Sequence, residues 1–148
     1  MSNNQFLVPP TAGATLRVLH DTIRVLASGE QTDGAYEVFE VTGSASDGPP
    51  PHHHPWDESF FILAGEVDLC MGEDWVTATP GYFVNVPRGT VHTYRVHSET
   101  ARFIVLTVEA GAAAFFADMD RTLAEGTCTM ETIMAVASRH QVMPGFPT

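Results

Sequence analysis

The chain has 148 residues, 44% of them hydrophobic and 17% charged, which suits one domain able to bury about two-thirds of its unfolded surface. Acidic residues outnumber basic ones by 18 to 7, for a formal net charge of -11, and no Lys/Arg cluster is present. This balance argues against nucleic acid and anionic membrane surfaces as partners, because both are bound through clustered positive charge. The N-terminal stretch has neither a basic nor an apolar leader segment, and no run is apolar enough to span a bilayer. The expected compartment is therefore the cytoplasm. There Cys70 and Cys128, too far apart in sequence for a metal-type pair, stay reduced.

Residues 16–20 and 22–27 alternate apolar and polar side chains, as half-buried strands do. Asp33-Gly34 is a turn before a third alternating run, 35–41, and the Gly-, Ser- and Pro-rich stretch 43–51 reads as a loop. Strands are expected at 58–63 and, as its hairpin partner across the Ala64-Gly65 turn, at 66–71, then at 75–78 after a turn at 72–74, and at 82–86 after Pro80-Gly81. Pro87-Arg88-Gly89 leads into 90–96, and 101–108 closes the series. Many short strands separated by turns mean a sandwich, jelly roll or barrel. From Gly111 the period becomes helical: Phe116, Met119 and Leu123 share a face, Gly126 ends the helix, and Thr129 caps a second one carrying Ile133, Val136 and Ala137. The expectation is one domain over 1–148, a β-barrel over 1–110 with a helical extension over 111–148. That extension serves either as a lid or as a cover for apolar surface.

The chemistry concentrates in the histidines. His52-His53-His54 follows three prolines, and on an extended segment His52 and His54 point one way and His53 the other. Glu58 follows as the next strand begins, and His92 on a separate strand offers a third imidazole. Imidazoles and a carboxylate converging on one point suit a divalent transition metal, with coordination positions left open for water or substrate. His20, His53, His97 and His140 are expected to face solvent or make local hydrogen bonds, and Arg88 to be an exposed turn residue. Trp56, between His54 and Glu58, is placed to shield the site.

Two spacings resemble a known family. His52-x-His54-x3-Glu58-x6-Gly65 is similar to the first cupin motif and Gly81-x5-Pro87-x-Gly89-x2-His92 to the second. The resemblance implies a single-domain cupin: an all-β jelly-roll barrel whose metal ligands are His52, His54, Glu58 and His92. The chain departs from the family pattern at Ser46, where glycine is usual, and at Val96, where asparagine is usual. Segments 34–38 and 60–67, Pro50-Pro51-His52, Phe115-Phe116 and Met143-Pro144-Gly145 resemble bacterial quercetinase-like cupins more narrowly.

That narrower resemblance implies a metal-dependent dioxygenase for a small enolizable or flavonol-like aromatic substrate, using one divalent ion (Fe, Mn, Ni, Cu or Zn). Glu58 would serve as a ligand and secondarily as a general base. A non-redox metalloenzyme (isomerase, lyase or decarboxylase) and a non-catalytic small-molecule binder are the alternatives. Strand alternation nominates Phe60, Ile62, Tyr94 and, with less certain phase, Tyr36 and Phe103 as an apolar substrate wall. Phe6-Leu7-Val8, an apolar segment outside the strands, predicts a homodimer.

Overall fold

The computed structural model describes residues 5–126 and 128–145; residues 1–4, on which the leader reading partly rests, lie outside it. In chain order the elements are β1 (Thr15–Val18), β2 (Asp21–Ala27), β3 (Tyr36–Ser44), β4 (His52–His53), β5 (Asp57–Ala64), β6 (Val67–Met71), β7 (Asp74–Ala78), β8 (Phe83–Val86), β9 (His92–Val96) and β10 (Thr100–Val108). They are followed by α1 (Ala112–Ala124), α2 (Met130–Arg139) and β11 (Met143–Pro144). The strands form two antiparallel sheets, β1-β2-β3-β10-β5-β8 and β11-β4-β9-β6-β7, in a jelly roll. The expected hairpin of β5 with β6 is corrected: β5 pairs with β10 and β8, and β6 with β7 and β9, so at Ala64-Gly65 the chain crosses between the two sheets. Between them lies one core in which Phe39, Phe60, Ile62, Leu69, Val96 and Phe103 are buried.

Two expectations about β3 are corrected. The strand continues to Ser44, so the loop begins later than residue 43. Its phase is also the reverse of the expected one: Glu37, Phe39 and Val41 face inward, while Tyr36 is 41% exposed and Val38 shares its outer face. The loop after β3 lies hard against β9, where a Cβ on Gly48 would sit 1.9 Å from the Tyr94 carbonyl oxygen. Ser46, standing where the family favours glycine, has φ +72°, the left-handed conformation that glycine adopts without strain.

Both helices form where expected. Thr129 and Thr132 make a reciprocal capping box at α2, and Gly126 takes φ +92° just past the end of α1. Helix α1 packs on β1 and α2, and its Phe116 meets Phe39 edge to face at 5.0 Å. Asp118 binds Arg121, Arg139 and His140, tying the helices together. The tail then returns as β11, too short for a periodicity signal, and pairs with β4 beside His52. It thus covers apolar barrel surface and extends the second sheet.

Candidate metal centre

Strand pairing assembles the centre. β4 pairs with β9 so that His52 lies directly opposite His92, with ring centroids 4.4 Å apart. His54 follows β4 on the same side, and Glu58 reaches in from β5 of the facing sheet. One ligand atom from each of His52, His54, Glu58 and His92 lies within 4.8 Å of the others. His54 and His92 each place Nε2 2.9 Å from Glu58 Oε2. His53 pairs with Met143 and takes no part.

The orientation of the rings is the more telling feature. Nδ1 of His52 lies 2.9 Å from the Pro50 carbonyl, Nδ1 of His54 3.0 Å from that of Trp56, and Nδ1 of His92 2.8 Å from that of Thr90. A carbonyl oxygen only accepts, so each Nδ1 donates, which leaves Nε2 as the atom that gives its proton to Glu58 in His54 and His92 and that would turn a lone pair to an ion once that proton is lost. Such anchoring is how metal-binding histidines are fixed in tautomer and direction. A divalent transition metal therefore fits these residues by donor type, number and aim. Trp56 backs the site: it stacks on His54 at 4.4 Å and 11°, and Gly111 packs against the indole, where a Cβ would sit 3.0 Å from the ring.

Burial opposes charge on Glu58, but hydrogen bonds from His54 and His92 outweigh it and hold the carboxyl well below the usual range. Burial, with His92 beside it, pulls His52 down to about 4. Burial also works against His92, yet the Glu58 hydrogen bond and charge leave its pKa raised. His52 is thus a ready neutral ligand in mildly acidic solution, whereas His92 must give up a proton. Metal binding near pH 6.5 is expected to release protons, and the release should diminish as pH rises. Calorimetry in buffers of differing ionisation enthalpy measures this, and binding without proton release at pH 6.5 contradicts it. In the metal-free protein His52 contributes stability that is present above about pH 6.5 and lost as pH falls through about 4. Asp21, raised by burial to about 6, acts in the opposite sense: its contribution is present below pH 3.8 and lost as pH rises through about 6.

The substrate-wall candidates fall in three places. Phe60, Ile62 and Phe103 are at most 1% exposed and fill the core below the centre. Tyr94 packs edge to face on Phe103 at 5.2 Å, and its hydroxyl donates to Asp21. Tyr36 is on the outer face. Arg88 is held by Asp57 and Glu109 at the surface, while His97 pairs with Asp68 and His140 with Asp118. Sequence reasoning missed Asp21, Glu37 and Thr107, three polar residues buried on the inner face. Their signal was weak: each is a single polar residue in an otherwise apolar phase.

A jelly-roll barrel with three aligned imidazoles and one carboxylate at a common point defines a β-barrel protein with a candidate metal centre. The chain belongs to the cupin domain family, whose model matches residues 38–115. It is 28% identical over 93 residues to quercetin 2,3-dioxygenase from Bacillus subtilis (strain 168), a match covering 62% of this chain and 28% of that protein. The chain thus spans less than a third of the curated relative's length. Among solved structures it is similar to the polyketide cyclase RemF from Streptomyces resistomycificus, with TM-score 0.61 and 23% identity over 70% of this chain and 79% of that one. It is also similar to a predicted oxalate decarboxylase from Thermotoga maritima, with TM-score 0.64 and 16% identity over 70% and 99%. Both likenesses are of fold. Among the described residues no helix is long and apolar enough to cross a membrane.

Proposed function

We propose that this protein binds one divalent transition-metal ion through His52, His54, Glu58 and His92 and acts as a metal-dependent dioxygenase on a small enolizable or flavonol-like aromatic substrate. The observation that carries the metal reading is the set of three Nε2 atoms aimed by backbone carbonyls at one buried carboxylate. Four protein ligands leave one or two positions on a five- or six-coordinate ion for substrate oxygens. An ion bound there supplies Lewis acidity toward an enol hydroxyl and, when redox-active, an electron path to dioxygen.

The chain's own residues do the rest. His52, the most exposed of the histidine ligands, marks the side on which substrate enters. Trp56 keeps bulk water from His54, and Glu58, ionised and buried, accepts the enol proton as a secondary role. Phe60 shares the inner face of β5 with Glu58 and, backed by Ile62, Phe103 and Tyr94, gives an aromatic ring an apolar floor. The likeness to the Bacillus subtilis enzyme favours oxygen as co-substrate.

The test is an oxygen electrode with protein loaded separately with Fe, Mn, Ni, Cu and Zn, offered flavonols and 1,3-diketones. Oxygen consumed in step with substrate is the expected result. Substrate conversion without oxygen uptake would overturn the oxygenase reading in favour of a lyase, isomerase or decarboxylase. No turnover with any loaded metal would leave a small-molecule binder.

We place the protein in the cytoplasm as a homodimer. Phe6 is 40% and Leu7 84% exposed, an apolar segment available to pair with a second copy. Sedimentation at micromolar concentration should give twice the chain mass, and a monomer there contradicts the pairing.

A further inference from the structure

The strand register lines up three polar residues in one row: Glu37 of β3 opposite Thr107 of β10, and Thr107 opposite Glu58 of β5. Side chains of directly paired residues lie on the same face, about 5 Å apart at Cβ. Here that face is the barrel interior, and exposures are 2% for Glu37, 0% for Thr107 and 8% for Glu58.

Glu37 is fully committed. Its Oε1 accepts from the backbone N–H groups of Gly111 and Ala113, and its Oε2 from that of Gly29. Glu58 is committed on one side, since both of its histidine contacts use Oε2. Between the two carboxylates the Thr107 hydroxyl is completely buried and has no hydrogen-bond partner among the described residues. A buried hydroxyl without a partner is destabilising, and valine would fill the same space without that cost.

We infer that Thr107 is a positioning residue for the ligand Glu58, its hydroxyl donating to the Glu58 carboxylate in the metal-loaded protein. This rests on the metal-site reading above. Glu58 turns Oε2 toward His54 and His92, which leaves Oε1 outside both contacts. In the loaded form the histidine lone pairs serve the ion, one carboxylate oxygen is a ligand, and the other is left for Thr107. Carboxylate ligands are commonly held by such an outer hydrogen bond, which fixes the ligand oxygen and raises affinity.

The inference predicts effects of opposite sign for Thr107→Val. Zn2+ and Co2+ affinity, measured by chelator competition, should fall by about 10- to 100-fold. The metal-free variant should unfold at the same temperature as the parent or higher, because a stranded hydroxyl has gone. Thr107→Ser, which keeps the hydroxyl, should bind both ions like the parent. Metal affinity of Thr107→Val within twofold of the parent overturns the inference while leaving the metal site intact. A Thr107→Val protein that loses metal-free stability, or fails to fold, shows a packing role and also overturns it. A parent that binds neither ion sinks the metal site and the Thr107 role together.

Discussion

Replacing Glu58 by alanine is expected to weaken divalent-metal affinity by more than about a hundredfold, since even the loss of an outer hydrogen bond to a ligand costs about 10- to 100-fold. Glu58 is the one anion among four candidate ligands, and it comes from the sheet opposite the histidines. Without it, three neutral imidazoles must hold a doubly charged ion in a buried place, with no formal charge to offset the lost hydration. The same change removes the hydrogen bond and charge that raise His92, so residual binding should release fewer protons at pH 6.5 than in the parent. The barrel itself should persist, because Phe60 and Ile62 on the same strand stay packed. Chelator competition with circular dichroism as a folding control checks this. A folded Glu58→Ala protein that binds within tenfold of the parent would remove Glu58 from the ligand set.

Glu37→Ala is expected to destabilise the protein by about 3 kcal/mol or more. The carboxylate satisfies three backbone N–H groups, two of them at the start of α1, where Gly111 brings no side chain of its own to cap the helix. Each buried donor left unpaired costs about 1–3 kcal/mol, and a negative charge at a helix N-terminus adds a favourable dipole interaction. The loss should reach the metal centre, because the same turn sets Gly111 on Trp56 and Trp56 stacks on His54. Glu37→Gln should cost less, since one oxygen can still accept. Urea midpoints of the three proteins measure the difference, and a loss under about 1 kcal/mol in Glu37→Ala would show that solvent replaces the carboxylate freely.

The cluster of candidate ligands was legible in the sequence because spacing fixes much of its geometry. Period two puts His52 and His54 on one face, and β9 carries His92 in the sheet that holds β4. The helical tail was legible for a similar reason, through Thr129 and Gly126 at its helix ends. What failed was phase where two readings compete. In β3, apolar residues at 36, 38, 39 and 41 fit either face, and the charged Glu37 looked like the outward one. Its burial depends on N–H groups from residues 29, 111 and 113, contacts that no local pattern contains. The hydroxyl partner of Tyr94 was likewise beyond local pattern: a buried hydroxyl needs a partner, and that partner, Asp21, lies 73 residues away. β11 escaped because two residues carry no periodicity.

The most direct measurement is elemental analysis of untagged protein beside a His52→Ala/His92→Ala double variant, both dialysed and then reconstituted with the same divalent ions. These residues face each other across β4 and β9, so the double change removes half of the ligand set without touching the core. The account predicts near-stoichiometric metal in the parent and little in the variant. A parent that takes up no ion under any of these conditions, or a variant that retains as much as the parent, would contradict the metal centre.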